Sequence, residues 1–465
     1  MGSLNTKKIH SRPRTHEGAI ARNINVEQQL RRSVLACMLW EDTFYEDGQT
    51  VADRIIEGVH KINPTTAKEL AIEARTQMKL RHVPLLIARE LARNPASRGA
   101  ARACLEEIIQ RPDEITEFIK MYWTPEKQPL ASQVKKALGN AFRKFDAYQL
   151  AKYKQTGKDI ELRDALKLCH PRPTNNEQSK MWKQLIEDTL PTPDTWETNL
   201  SDKNKNPQEE FIRLLTQNKM GGLAVLRNLR NFQKYGVPEE VVRNAISKMK
   251  VDRILPFRFI AASRYAPALE PALEEAMFRA VDGNAKLPGK TVLLVDVSGS
   301  MDHPISRNSD MRRTDAANGL AILLREICDN VDIYTFSMKL KQVPSRRGFA
   351  LRDAIMHSQS MSGTYLGAAV SAIQGREYLF DANMPNHWRP QEGSFPIRQE
   401  SFDRLIVITD EQSHDKVPNP TQPKSYIINV ATNQNGVGYK PWVHVDGWSE
   451  ACVKWIQALE MERFV

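Results

Sequence analysis

The chain has 465 residues, a net charge of +10 and 41% hydrophobic residues, a length that exceeds one ordinary core and predicts two or three domains. Its five cysteines, Cys37, Cys104, Cys169, Cys328 and Cys452, are scattered, odd in number and without C-x-x-C spacing, which argues against a disulfide framework or a cysteine zinc site. No stretch approaches the ~18 apolar residues of a membrane span, and the basic N-terminus lacks the apolar core of a signal peptide, so a cytoplasmic protein without membrane contact is expected.

Residues 1–27 are polar, with Lys7, Lys8, Arg12 and Arg14 around Pro13, and read as a flexible basic arm. Residues 28–288 read as helix after helix. Val51, Ile55, Ile56, Val59 and Ile62 form an apolar face until Asn63-Pro64 stops it. Leu105, Ile108 and Ile109 form another, followed after Arg111-Pro112-Asp113 by Ile115, Phe118 and Ile119. Val134, Leu138, Ala141, Phe142 and Phe145 continue the pattern. So do Val241, Val242, Ala245, Ile246 and Met249, opened by Pro238. Spacings of three and four residues mark one buried face per helix. Short turns between such helices predict an α-solenoid of stacked helix pairs, although no fixed repeat period is legible. Cys37 and Cys104 fall within these patterns as buried thiols. Through residue 290 there are 48 Lys and Arg against 36 Asp and Glu, and afterwards 18 against 20. The positive excess therefore precedes residue 291, which fits either a polyanion partner or a merely solvated basic surface.

After Gly289 strands and helices alternate. The expected order is strand 291–297, helix 310–328 with Leu320, Leu323, Leu324 and Ile327 on one face, strand 331–336 and helix 364–374. Strands 405–410 and 426–430 and a helix near 448–461 follow. That alternation predicts a parallel, doubly wound sheet. Residues 380–402 interrupt it with a polar insert carrying Pro385, His387, Trp388, Pro390 and Pro396. Loops of that length are usually functional or disordered, and this one leads into the strand at 405–410.

Asp296-Val297-Ser298-Gly299-Ser300 follows the apolar run Thr291-Val292-Leu293-Leu294-Val295. Its side chains therefore stand at the carboxyl end of a strand, where open α/β sheets bind ligands. One carboxylate and two hydroxyls at alternate positions suit a hard divalent cation such as Mg²⁺. Ser362-Gly363-Thr364 adds Thr364, and Leu405-Ile406-Val407-Ile408-Thr409-Asp410 ends in Asp410. The bland alternative is a strand-end turn with Asp410 capping the next element. The three segments together resemble the metal-ion-dependent adhesion site of a von Willebrand factor A domain. The resemblance implies direct metal binding by Ser298, Ser300 and Thr364, with Asp296 and Asp410 acting through waters.

A basic helical region followed by such a domain resembles the Ro 60 kDa autoantigen family, whose helical part is the TROVE module. The likeness extends to residues 31–45 (Arg31-Arg32-Ser33-Val34 through Thr43-Phe44-Tyr45), to Met220-Gly221-Gly222-Leu223 and the following helix, and to Leu255-Pro256-Phe257-Arg258-Phe259. It covers about residues 28–460. The resemblance implies a monomeric ring of HEAT-like repeats, 28–288, closed by an A-type domain, 289–465. It implies noncatalytic binding of RNA: structured small noncoding Y RNAs on an outer basic surface, and single-stranded ends of misfolded RNA in a central hole. The role implied is RNA quality control or a ribonucleoprotein scaffold, with a 3′ exonuclease such as polynucleotide phosphorylase as partner. The short N-terminal part suggests a bacterial or phage relative. Lys152 and His170 match RNA-contacting positions of the family. A further basic position falls on Thr156, for which Lys154, Lys158 and Arg163 offer substitutes. Arg172 lies in the same turn as His170, and Lys135, Lys136 and Arg143 share one predicted helix. Lysine and arginine pair with phosphates, and a histidine stacks on an exposed base. Taken alone, His170 reads equally as a helix-ending residue.

Two rival functions are also compatible with the sequence. A metal-activated water would hydrolyse RNA, but no second carboxylate-rich motif, glycine-rich phosphate loop or nucleophile–base pair accompanies the site. Alternatively, the metal site serves a protein-interaction module of the adhesion type, with a partner's acidic side chain filling the open position.

Overall fold

A computed structural model describes residues 12–463 apart from positions 38, 41, 44, 155, 202, 203, 253, 283, 381–388, 399, 400 and 450. Lys7 and Lys8 of the expected arm, Met38, Glu41 and Phe44 of the segment 31–45, and Pro385, His387 and Trp388 of the insert lie outside the described residues. The described chain divides into two compact units. One is residues 48–282 with 39 and 40, and the other joins 12–37, 42–47 and 284–463.

The first unit is helical. Asn63 accepts the N–H of Thr65 at 2.8 Å, and Pro64 occupies the first helical position. The dipeptide that ends helix Gly48–Lys61 thus starts helix Pro64–Thr76. Asn206-Pro207 repeats the device ahead of helix Pro207–Thr216. Helix Pro64–Thr76 packs on His82–Arg93, and both pack on Arg98–Ile108. Arg98–Ile108 packs on Ser132–Phe142, which in turn meets Leu162–Cys169. Val51, Ile55, Val59, Leu105, Ile108, Val134, Leu138 and Phe142 are all buried, as their spacing predicts. All five cysteines are buried. Burial pushes the thiols of Cys104 and Cys169 up to about 12, so neither is a thiolate near neutrality. Among the described residues no helix is long and apolar enough to cross a membrane.

The second unit is built on a six-stranded sheet of β1 (Leu287–Asp296), β2 (Cys328–Phe336), β3 (Leu340–Gln342), β4 (Arg404–Thr409), β5 (Lys424–Asn429) and β6 (Val443–Asp446), in the order 3-2-1-4-5-6. All neighbouring pairs are parallel except β2 with β3. The expected all-parallel sheet is therefore corrected at one edge. Strands of three and four residues, β3 and β6, carry too little pattern to be seen in sequence, and helix Gly348–Met356 was likewise not anticipated. Val292, Leu294, Leu405, Val407 and Ile427 pack with Leu366, Ala369 and Val370 of helix Leu366–Ile373 on one face. Their buried alternates, Leu293, Val295, Ile406 and Ile408, fall on the other face by strand periodicity. Helix Arg313–Ile327 packs on β1, β2 and β4.

The N-terminal boundary also differs from expectation. Residues 12–27 are not a free arm, and helix Val26–Leu35 belongs with the sheet rather than with the helical unit. Ala19 and Ala21 are buried. Thr15 Oγ1 donates to the Ser413 carbonyl at 2.8 Å, and Arg22 N–H donates to the Gly436 carbonyl at 2.9 Å. The segment is held by small residues and backbone hydrogen bonds, which leave no apolar periodicity to read.

Arg32 anchors this segment. Its side chain and that of Glu411 form a wholly buried ion pair, and Arg32 Nε donates to the Asn433 carbonyl. His444 lies between Glu411, at 2.9 Å, and Asp446, at 3.3 Å, with the Tyr439 ring stacked at 3.9 Å. A Cβ at position 438 would stand 2.2 Å from Glu411 Oε1, so the close approach there requires Gly438. Burial opposes protonation of His444, but Asp446 and Glu411 outweigh it and push its pKa up from 6.5 to about 9. A raised folded-state pKa contributes stability fully below the unfolded value, and that contribution is lost as pH rises through the folded one. The urea midpoint is therefore expected to fall as pH is raised from about 6.5 to about 9, and His444→Gln should flatten that decline. A wild-type midpoint that holds steady across this interval would remove His444 from the account.

Candidate functional site

The sheet order turns outward from β1, with β2 on one side and β4 on the other. Ligands of open α/β sheets bind at this switch point, beyond the carboxyl ends of the strands. Val295 pairs with Ile408, which brings Asp296 beside Thr409. Thr409 Oγ1 donates to Asp296 Oδ2 at 2.6 Å, and Ser298 N–H donates to Asp296 Oδ1 at 2.8 Å. The Ser298 and Ser300 hydroxyl oxygens are 3.2 Å apart. Gly299 N–H donates to the Ser362 carbonyl at 2.8 Å, which draws the loop bearing Thr364 alongside. Thr364 is buried, and its hydroxyl has no hydrogen-bond partner among the described residues. Asp410, directly after β4, is fully buried.

This donor set fits a hard divalent ion. Adjacent oxygens around an octahedral Mg²⁺ with bonds of about 2.1 Å are separated by about 3 Å, close to the spacing of the two serine hydroxyls. Burial first, and the Asp410 charge second, push the Asp296 carboxyl above the usual carboxylate range. A cation at this place would relieve both effects. Among the described residues no group of three or more His, Cys, Asp or Glu side chains is arranged to hold a metal, so the fit rests on hydroxyls supported by two carboxylates.

Sequence reasoning missed two residues here. The Tyr45 hydroxyl donates to Asp410 Oδ2 at 2.5 Å from a position 365 residues earlier in the chain. Arg313 Nη1 lies 3.2 Å from the same Oδ2 and 3.2 Å from the Ser300 carbonyl. Its guanidinium carbon stands 4.4 Å from the centroid of the Tyr45 ring. Burial first, then the Asp410 charge, raise the Tyr45 phenol well above its ordinary range, so it stays a donor. No local pattern signals a contact so distant in sequence.

In the helical unit, His170 ends helix Leu162–Cys169 with a left-handed φ of 48°. Its backbone N–H donates to the Leu166 carbonyl at 3.0 Å, while its side chain is exposed. The capping role and an exposed imidazole therefore coexist. A cleft of about 400 Å³ beside it is lined by Leu166, Lys167, Pro171, Trp182, Lys183 and Ile186, among others. Trp182 Nε1 is buried without a hydrogen-bond partner among the described residues. Arg143 Nη2 donates to the Arg172 carbonyl at 3.1 Å. A Cβ at Gly139 would stand 3.2 Å from Pro171 Cβ, so helix Ser132–Phe142 runs close under this turn. Lys135 acts electrostatically on Cys169, which places it beside the same helix end.

The nine basic candidates separate by pairing. Lys152 faces Glu197 at 4.0 Å, Lys154 meets Asp188 at 2.9 Å and Arg163 meets Glu161 at 2.7 Å. Lys135, Lys136, Arg143, Lys158 and Arg172 are exposed and have no carboxylate partner among the described residues, and His170 shares that state. A second set without a carboxylate partner among the described residues was missed. Arg227, Arg230 and Lys234 follow one another at spacings of three and four on helix Gly222–Lys234, all exposed. Arg258, on helix Pro256–Ser263, has its pKa lowered by burial first and by Arg227 second, so the two guanidiniums are neighbours. The Arg230 guanidinium sits 4.7 Å over the Tyr265 ring. The helical spacing was the available signal.

Comparison with curated proteins returns no significant match. Among solved structures, the crystal structure of the Ro (RSR) protein of Deinococcus radiodurans is similar, with a TM-score of 0.58 at 18% identity over 93% of this chain and 99% of that one. The TROVE domain model matches residues 14–189 and 187–304. The match starts within the N-terminal segment that packs in the sheet unit and runs through the Asp296 motif. It spans more than half of the sequence, so the chain belongs to the TROVE domain family.

Proposed function

We propose that this is a noncatalytic RNA-binding protein whose helical unit grips RNA on the surface around His170. Family membership and the fold shared with a Ro protein support this reading. The observation that carries it is the surface at the His170 turn: an exposed imidazole beside a cleft, with Lys135, Arg143 and Arg172 close by and without carboxylate partners among the described residues. Cations take phosphates, and the imidazole stacks on an unpaired base. The ligands this favours are a structured small noncoding RNA of the Y type and single-stranded ends of misfolded RNA. The corresponding role is RNA quality control or a ribonucleoprotein scaffold, with a 3′ exonuclease such as polynucleotide phosphorylase bridged by the RNA. His170→Ala should weaken binding of a labelled hairpin RNA with single-stranded flanks by about 1–3 kcal/mol, the range for loss of one stacked base. Fluorescence anisotropy reads this directly, and unchanged affinity would displace the binding surface from His170.

The sheet unit reads as a von Willebrand A-type domain in which Ser298, Ser300 and Thr364 hold Mg²⁺, with Asp296 and Asp410 behind them. When bound, the ion would offer an open position to an acidic side chain of a protein partner. The oxygen cluster at the switch point favours this second, compatible role. A partner of this kind leaves the protein on EDTA addition even after RNase treatment, whereas an RNA-bridged partner leaves on RNase alone.

A further inference from the structure

A carboxylate buried beneath an oxygen cluster needs a counter-charge, and Asp410 already has one inside the chain. Arg313 reaches Asp410 Oδ2 at 3.2 Å, and both side chains are buried. The guanidinium also touches the Ser300 carbonyl at 3.2 Å, so it spans from the Asp296 motif to the end of β4. Tyr45 lies beneath it, with the ring 4.4 Å from the guanidinium carbon and the hydroxyl donating to the same Oδ2. Two donors thus occupy one of the two Asp410 carboxylate oxygens.

We infer that Arg313, seated on Tyr45, is a built-in cation that competes with the divalent ion for Asp410 and makes this a weak, exchangeable metal site. The inference rests on the metal reading given above. A guanidinium stays charged at any physiological pH. Beside a divalent ion in a buried setting it repels that ion and lowers its affinity. Without the ion, the same guanidinium keeps Asp410 compensated, where a lone buried carboxylate would be costly. The metal-free protein therefore keeps its fold, unlike small domains that fold only on binding metal. Tyr45 holds Arg313 in place by stacking and takes a share of the same carboxylate oxygen.

The test is a Mn²⁺ titration of the full chain, by calorimetry and by electron paramagnetic resonance of the free ion. It compares wild type with Arg313→Met, Tyr45→Phe and Asp296→Asn. Arg313→Met is expected to bind Mn²⁺ roughly 10- to 100-fold tighter through the lost repulsion. Tyr45→Phe should bind about threefold tighter, since it frees one lone pair and leaves the charge, and Asp296→Asn should bind more weakly than wild type. Mn²⁺ should also raise the melting temperature of Arg313→Met more than that of wild type. If Arg313→Met binds no tighter while Asp296→Asn still weakens binding, the competition is wrong and the metal site stands. If Asp296→Asn binds as wild type does, or no variant binds at all, the metal reading fails and takes this inference with it. If Arg313→Met lacks a native near-ultraviolet circular dichroism spectrum, Tyr45→Phe decides: tighter binding supports competition, and unchanged or weaker binding overturns it.

Discussion

Arg32→Met is expected to destabilise the sheet-bearing unit by about 3–5 kcal/mol, the cost of leaving one partner of a buried ion pair alone. Both Arg32 and Glu411 are fully buried, and Arg32 also donates to the Asn433 carbonyl. Burial works against the Glu411 charge, but Arg32 first and His444 next hold its pKa down to about 2. Removing Arg32 leaves that carboxylate with His444 as its remaining cation. The double variant Arg32→Met/Glu411→Gln should recover part of the loss, because no uncompensated charge then remains. Lys61→Ala is the contrasting control. Its pair with Glu57 is well exposed, with side chains 58% and 70% accessible, and should matter little. Urea unfolding followed by circular dichroism measures all three. An Arg32→Met loss under about 1 kcal/mol would mean that the N-terminal segment is not anchored through this pair.

The second large effect concerns RNA. Replacing Lys135, Lys136, Arg143 and Arg172 together by alanine is expected to cut affinity for structured RNA by roughly 100-fold at low salt. It should also reduce the slope of log affinity against log salt by about 3. These side chains are exposed and have no carboxylate partner among the described residues, so each can meet a phosphate without giving up an ion pair. Lys152, Lys154 and Arg163 already face Glu197, Asp188 and Glu161. Their triple alanine variant should lose less per charge removed, because RNA must first displace those carboxylates. Replacing Arg227, Arg230, Lys234 and Arg258 probes the second unpaired set with single-stranded RNA as ligand. Equal losses per charge in the paired and unpaired sets would refute the ranking by pairing.

The sequence disclosed some parts of this molecule far better than others. Helices with apolar stripes, such as the one carrying Val134, Leu138 and Phe142, were legible because one face is buried. The strands β1 and β4 were legible because both their faces are covered, which makes them continuous apolar runs. Asp296, Ser298 and Ser300 stood out because strand-end chemistry is local. The anchoring of residues 12–37 and of Tyr45 was not legible. It depends on Arg32 meeting Glu411 and Tyr45 meeting Asp410, contacts between segments hundreds of residues apart. The pairing state of the basic residues was equally hidden, since Lys154 and Lys158 look alike until Asp188 is placed beside the first. The left-handed backbone at His170 was unreadable because nothing in its neighbours demands it.

The most direct test of RNA binding through the helical unit is ultraviolet crosslinking of the protein in its own cells. RNA recovered with it is sequenced, and the crosslinked peptides are mapped by mass spectrometry. Crosslinks are expected in residues 131–187, centred on His170, and in residues 222–265, with small structured transcripts or fragments of larger RNAs attached. Crosslinks confined to the sheet-bearing unit, or none at all above the background of a non-binding protein, would contradict binding through the helical unit.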